Sequence, residues 1–192
     1  LQLMKSQAPP LLPIFRSRGQ AELLALILLS NPEERSLTQL AQQTKLSLAT
    51  VQREVTRFEE SGLVDSRRVG NVRLVRAAES RDSELLAELL LRSFGPRQVV
   101  AEELAEVEEI DQVVIFGSWA ARYLGERGHT PNDLDLLILG TPDQRQLSRA
   151  CLAIGRRIGK EVNTVDRDPT WWTSSSDDPL IREIKRRPHF VV

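Results

Sequence analysis

The chain has 192 residues, of which 41% are hydrophobic and 28% charged, and its formal net charge is −1. This length accommodates one large or two small domains, and the composition is that of a globular protein. The longest apolar stretch, Leu23 to Leu29, is too short to cross a bilayer, so no membrane partner is expected. The single cysteine, Cys151, excludes an internal disulfide and is expected to be a buried apolar residue of a cytoplasmic protein.

The charges are unevenly distributed along the chain. Residues 1–77 carry 11 basic and 7 acidic side chains, residues 78–111 carry 3 and 10, and residues 112–192 carry 12 and 10. The basic first part predicts an anionic partner, and the acidic middle is expected to face solvent or another subunit. With the helix and strand patterns described next, we divide the chain into an extended segment (1–18), a first domain (19–77), a helical connector (78–111) and a second domain (112–192).

The first domain begins with three predicted helices. Apolar residues at helical spacing predict a helix over residues 19–30. Ser36 is placed to cap a short helix over 37–44, and Ser47 to cap a longer one that ends near Ser61. Two helices separated by so brief a turn predict a helix-turn-helix.

Two short strands follow, over residues 63–69 and 72–75, and Gly70-Asn71 predicts a tight turn between them. With this hairpin as a wing, residues 19–77 resemble the winged-helix domain of bacterial repressors of the arsenic-repressor kind. The resemblance implies double-stranded DNA as the partner: the second helix of the motif would enter the major groove, and the wing would contact the backbone.

The candidate DNA-binding residues follow from this placement. Leu48, Val51, Val55 and Phe58 form the predicted core stripe of the recognition helix. Its polar side carries Ser47, Thr50, Gln52, Arg53 and Arg57, and the wing carries Arg67, Arg68, Asn71 and Arg73 as expected phosphate contacts. The alternative is a winged helix that serves only as a protein-docking module, with arginines that keep it soluble.

The connector predicts two amphipathic helices. Leucines recur at positions 85, 86, 89 and 90 before Gly95-Pro96, and a second helix is predicted over residues 99–109 with Val100, Leu104 and Val107 on one face. These stripes either pack between the domains or form the seam of a homodimer, which would suit a two-fold operator.

A phosphate-binding turn is predicted in the second domain. The apolar run Val113 to Phe116 is broken by Gly117-Ser118 and continues into helix formers, which reads as a strand, a tight turn and a helix start. Asp133 and Asp135 open the next apolar run and, by strand alternation, project from the same face. Two carboxylates so placed suit Mg²⁺ carried by a substrate phosphate.

Over residues 113–165 the chain resembles the minimal nucleotidyltransferases of the polymerase-β-like superfamily, through Gly-Ser followed by Asp-x-Asp. The resemblance implies a nucleoside triphosphate held at Gly117, Ser118 and Arg122, with Mg²⁺ on Asp133 and Asp135, which would also be the catalytic residues of an active enzyme. The alternative is an ordinary strand-helix-strand unit with solvated aspartates.

The third carboxylate of that superfamily is expected on a later strand, here residues 161–166. The aligned position holds Asn163, whose amide is neither a general base nor a charged metal ligand, and Glu161 lies two residues away on the same face. The three-carboxylate arrangement is therefore incomplete, which leaves enzymatic activity open.

Taken together, the patterns predict an α+β protein: an N-terminal winged helix, a helical connector and a small nucleotidyltransferase-like domain with a mixed sheet. The combination resembles regulators in which a helix-turn-helix is fused to a nucleotidyltransferase domain. The predicted function is a DNA-binding transcriptional regulator, with a catalytically degenerate second domain that senses a nucleotide, a metal or a protein partner. The alternatives are an active Mg²⁺-dependent nucleotidyltransferase that modifies a protein or RNA, and an antitoxin-like protein that holds a partner.

Overall fold

The computed structural model describes residues 11–30, 32–126, 130–173 and 178–192. These residues form two compact units, one that ends at Gly95 and one that runs from Pro96 to Val192. Most of the predicted extended segment, residues 1–10, lies outside the described part of the chain. In the described ranges no helix combines the length and the apolar character needed to span a membrane.

The first unit is a winged helix with one additional C-terminal helix. After a single 3-10 turn at Leu12–Ile14, its elements are α1 (Arg18–Leu28), β1 (Arg35–Ser36), α2 (Leu37–Thr44), α3 (Leu48–Glu60), β2 (Val64–Val69), β3 (Val72–Ala77) and α4 (Arg81–Phe94). The three strands form an antiparallel sheet in the order β1-β3-β2, so that β2 and β3 are the wing.

Local side-chain hydrogen bonds set the ends of the helix-turn-helix. Ser36 caps α2 in a capping box with Gln39, and Ser47 caps α3 through the backbone amide of Thr50. Between these helices Lys45 adopts a left-handed conformation with φ of 58°. The short turn therefore fixes the angle at which α3 leaves α2.

The recognition helix α3 is attached to the core through Val51, Val55 and Phe58, all of them buried. Leu48, which was also predicted in this stripe, is 51% exposed, and that part of the prediction is wrong. Leu48 is the first residue of the helix, immediately after its cap, and at this end of the stripe the side chain is left open to solvent.

The predicted connector is divided between the two units. Helix α4 packs on α1 in the first unit, and the next helix, α5 (Pro96–Leu104), packs on α7 (Gln144–Ile158) in the second. Helix α5 begins at Pro96 and ends at Leu104, earlier than the predicted range 99–109. Proline is favoured in the first turn of a helix, and Glu109, at the predicted end, has the left-handed φ of 60°.

The second unit is built on a mixed four-stranded sheet. Its remaining elements are β4 (Ile110–Phe116), α6 (Ser118–Tyr123), β5 (Asp133–Gly140), β6 (Glu161–Arg167), α8 (Pro169–Thr173), α9 (Pro179–Arg186) and β7 (His189–Val191). The strand order is β6-β5-β4-β7; β5 and β6 are parallel, and the other two pairs are antiparallel. A winged helix and a mixed α/β sheet in one chain confirm the predicted α+β fold class.

Strand β5 is the centre of this unit and is buried from Leu136 to Leu139. Successive side chains of β5 point to opposite faces of the sheet, so both faces of the sheet are covered at this strand. On one face Leu137 and Leu139 belong to a core cluster with Val114 and Ile184, and Trp171, Trp172, Leu180, Phe116 and Val165 pack against that cluster. The tryptophans thus attach α8 to the sheet. Cys151, predicted to be buried, is half-buried on α7.

Candidate functional site

Two exposed polar side chains project from the recognition helix. Gln52 and Arg53 lie on the solvent side of α3, opposite the buried stripe. Arg53 has no hydrogen bond or ion pair with any other described residue, so its guanidinium is available to an external acceptor. Gln and Arg present the donor and acceptor groups that recognise adenine and guanine edges.

Ser47 and Thr50, also predicted to contact DNA, are engaged within the helix terminus. The Ser47 Oγ accepts a hydrogen bond from the Thr50 amide at 3.1 Å and lies 2.8 Å from the Thr50 Oγ1. Their hydroxyl groups stabilise the start of α3. These two residues therefore position the recognition helix, whatever else they contact.

A nearly buried carboxylate on α3 was not anticipated. Glu54, 8% exposed, accepts hydrogen bonds from Arg16 at 3.1 Å, Gln20 at 2.8 Å and Arg57 at 2.7 Å. It holds the recognition helix against α1 and restrains Arg57, one of the predicted DNA contacts. The available signal in the sequence was an acidic residue placed within the apolar stripe of Val51, Val55 and Phe58.

The predicted phosphate-binding arginines of the wing differ in whether a carboxylate of the protein already binds them. Arg68 and Asn71 are exposed, and Arg68 makes no hydrogen bond or ion pair with another residue of the described ranges. Arg67, in contrast, binds both carboxylate oxygens of Glu34, and Arg73 binds Glu59 and the Ser66 hydroxyl. The hairpin turn itself depends on Gly70, whose φ is 57°.

The second candidate site lies at the entry of β5. Register pairs Asp133 with Glu161 and Asp135 with Asn163 on the parallel strand β6. The Asn163 Nδ2 donates to Asp133 Oδ2 at 2.9 Å and to Asp135 Oδ1 at 3.2 Å. The predicted pair of carboxylates is therefore brought together and is bridged by the Asn163 amide.

Gly117 is packed directly against this pair. Its φ is 73° and its ψ is −148°, a region that side-chain-bearing residues avoid, and a Cβ at this position would lie 2.6 Å from Asp135 Oδ2. The strand-to-helix turn therefore approaches the carboxylate only because residue 117 is glycine. Burial raises the pKa of Asp135, with a contribution from the charge of Asp133, while the hydrogen bond from Asn163 lowers it.

The other predicted nucleotide-binding residues lie on the turn and the short helix that follow. Ser118 is exposed at the first position of α6, and Arg122 is half-buried near its end. Trp119, between them, is 3% exposed, and its indole Nε1 has no hydrogen-bond acceptor among the described residues. Helix α6 has only six residues, so its contribution as a helix dipole is small.

The chemistry of the carboxylate pair limits what it can hold. Within the described part of the chain, no three His, Cys, Asp or Glu residues are grouped so as to hold a metal ion. Asp133 and Asp135 would supply only two oxygen ligands to a Mg²⁺ ion, which would have to retain ligands from a phosphate or water. The donor set fits such a shared ion and does not provide an all-protein cage.

Comparisons with known proteins do not assign the chain to a family. No protein-family model and no curated protein matches it. Reduced HlyU from Vibrio cholerae is 22% identical, with 43% of this chain and 82% of that chain covered and a TM-score of 0.36. The MarR family transcriptional regulator SPO1453 from Silicibacter pomeroyi is 28% identical, with 38% and 51% covered and a TM-score of 0.31. ZitR from Lactococcus lactis, a zinc-responsive MarR family member, is 20% identical, with 47% and 61% covered and a TM-score of 0.36.

Proposed function

We propose that the protein is a transcriptional regulator that binds double-stranded DNA through its winged helix. The observation that carries this proposal is the exposure of Gln52 and Arg53 on α3, and of Arg68 on the wing, with neither arginine paired to another described residue. Gln52 and Arg53 present groups that can read base edges, and Arg68 presents positive charge to phosphates. Winged-helix domains bind DNA with the same two kinds of contact.

Binding to DNA is tested with the full chain and duplex fragments, including its own upstream region. We expect affinity that falls steeply with salt, because each neutralised phosphate contributes a slope of about −0.9 in log K against log salt. A specific fragment should bind about 10³-fold or more tightly than random duplex of the same length. Salt-insensitive binding, or none to any duplex, would refute the regulator and leave the winged helix as a protein-docking module.

For the second unit we propose a nucleotidyltransferase-like sensor that binds a Mg²⁺-nucleoside triphosphate complex with little transfer activity. The supporting observation is Asn163, which occupies the position beside Asp135 where a general base would stand and bridges the carboxylates with a neutral amide. Asp133 and Asp135 would hold the metal carried by the triphosphate, and the Gly117-Ser118 turn would lie beside its phosphates.

An active Mg²⁺-dependent nucleotidyltransferase is the second candidate, favoured by the close placement of Gly117 on Asp135. The two candidates differ in a direct experiment: incubation with labelled triphosphates, Mg²⁺ and protein or RNA acceptors, with binding measured in parallel by calorimetry. Binding without transfer supports the sensor. Transfer by the parent that disappears in the Asp133→Ala/Asp135→Ala variant supports the enzyme.

We further propose that the regulator acts as a homodimer formed through α4. Leu85 and Leu89 lie one turn apart on this helix and are 43% and 54% exposed, whereas Leu90 is fully buried against the first unit. Two exposed leucines at this spacing form an apolar stripe that a second copy of the helix would cover. A dimer would also place two recognition helices on a two-fold operator.

A further inference from the structure

We propose that Glu34 restrains the affinity of the wing for DNA by holding Arg67 in a carboxylate fork that imitates a phosphate contact. This inference rests on the proposed DNA-binding function and adds to it a residue that was not among the predicted contacts. Glu34 lies just before β1, at the far side of the small sheet from β2.

The geometry of the pair uses the same groups that would bind DNA. The Arg67 Nε donates to Glu34 Oε1 at 2.8 Å and its Nη2 donates to Oε2 at 2.6 Å. Two parallel N-H···O bonds are also how a guanidinium binds a phosphate. While the fork is formed, these two donors of Arg67 are not available to the DNA backbone.

The solvent exposure of the Arg67–Glu34 pair indicates that it restrains Arg67 and does not hold the fold together. Arg67 is 60% exposed and Glu34 25% exposed, so the pair lies at the solvent side of the wing. An exposed pair contributes little to stability and is readily exchanged for another anion. The two glutamates are almost equally accessible, Glu59 being 26% exposed, but Arg73 is only 20% exposed, and the Arg73–Glu59 pair attaches the wing to α3.

Strand alternation places the two adjacent wing arginines on opposite faces of the hairpin. Arg68 pairs in register with Arg73, and Arg67 pairs with Leu74, so their side chains leave β2 in opposite directions. Arg68 therefore supplies a charge that is unpaired among the described residues on the α3 side of the wing, where the nearby Glu59 carboxylate is already bound by Arg73. Glu34 controls whether Arg67, on the other face of the wing, also contributes charge to DNA binding.

The test measures DNA affinity of the full chain across a salt series for four proteins: the parent, Glu34→Gln, Arg67→Ala and the double variant. We expect Glu34→Gln to bind any duplex about three- to fivefold more tightly, the range given by the small energy of an exposed pair. Its salt slope should be steeper by about one phosphate contact. Arg67→Ala should change the parent's affinity less than twofold and should abolish the gain in the double variant.

Glu33→Gln is the matched control, because it removes the same charge from the adjacent residue, whose carboxylate binds Arg35 at 2.8 Å. Equal gains in Glu33→Gln and Glu34→Gln, or a gain that persists without Arg67, would overturn the restraint while leaving the DNA-binding function intact. Absence of salt-sensitive binding in every variant would instead refute both. Thermal melting of each variant checks that the winged helix remains folded.

Discussion

Asn163 lies directly beside Asp135 on the neighbouring parallel strand, and its amide nitrogen donates to that carboxylate at 3.2 Å. The neutral Asn163 side chain therefore gives the Asp135 carboxylate a hydrogen-bond donor and adds no charge to the site. The relationship explains how two close carboxylates are tolerated at the entry of β5, and position 163 is where an added charge would act most directly on the proposed Mg²⁺.

Replacing Asn163 by Asp should therefore strengthen binding of Mg²⁺ to the second unit. We expect about a tenfold or greater decrease in the dissociation constant, because an added unit charge about 4 Å away contributes more than 1 kcal/mol even with strong screening. Calorimetric titration with Mg²⁺, with and without triphosphate, measures the effect. Thr164→Asp is the control, since it adds the same charge to the opposite face of β6; equal affinities in the two variants would contradict the prediction.

The raised pKa of Asp135 predicts how stability depends on pH. Because burial favours the protonated carboxyl, the folded chain holds this proton more tightly than the unfolded chain, and the free energy of unfolding decreases as the pH rises above the ordinary value of 3.8. Asp135→Asn should remove that loss.

Chemical denaturation from pH 3 to 8 tests this sign. Asp135→Asn should be more stable than the parent at pH 7, and the difference should shrink as the pH falls toward 3.8. Asp111→Asn, at an exposed position of β4, is the reference change. A parent that is as stable as Asp135→Asn at neutral pH would show that burial of this carboxylate is without energetic consequence.

The sequence predicted the site elements where the signals were local. The sequence predicted that Ser47 caps the recognition helix, that Gly70 lies in the turn of the wing, and that the apolar run ahead of Gly117 is a strand. The structure confirms all three. The pairing of Asp135 with Asn163 was not predicted, because the sequence pattern does not show which strands are neighbours or in what register they pair.

Contacts between distant parts of the chain were not predicted. Glu34 and Arg67 are 33 residues apart, and Glu54 and Gln20 are 34 apart, so no periodicity connects them. Nor did the pattern show that α4 and α5 belong to different units, since both are amphipathic helices of similar composition. Such pairings depend on which faces meet after folding.

Gly117→Ala should destabilise the second unit and displace Asp135. An alanine at a φ of 73° and ψ of −148° is strained, and its Cβ would collide with the carboxylate. We expect a loss of about 1–3 kcal/mol in the free energy of unfolding and weaker triphosphate binding. Gly125→Ala separates backbone strain from the collision with Asp135. Gly125 also has a positive φ, of 99°, but the space around its Cβ position is open. Intact nucleotide binding in Gly117→Ala would argue against this turn as part of the site.

The exposed residues of the recognition helix should determine sequence preference. Gln52→Ala or Arg53→Ala is expected to cost about 1–3 kcal/mol on the specific site and little on random duplex. Arg68→Ala should instead weaken binding to all sequences alike and reduce the salt slope by about one unit. Fluorescence anisotropy with both duplexes gives these values. Arg149→Ala, which removes an exposed arginine from α7 in the second unit, is the charge control; an equal loss for Arg53→Ala on both duplexes would assign Arg53 to the backbone.

Dimerisation through α4 predicts that a charge in its leucine stripe separates the subunits. Leu89 is 54% exposed beside Leu85, and a lysine there would be placed against its own symmetry mate in the interface. Light scattering should give twice the chain mass for the parent and the single mass for Leu89→Lys. DNA affinity should fall by several orders of magnitude, because one half-site replaces two. Leu152→Lys, at a 69% exposed leucine of α7, should remain dimeric. If the parent is a monomer that protects one non-palindromic half-site, α4 is not a subunit interface and the exposed leucines must be explained in another way.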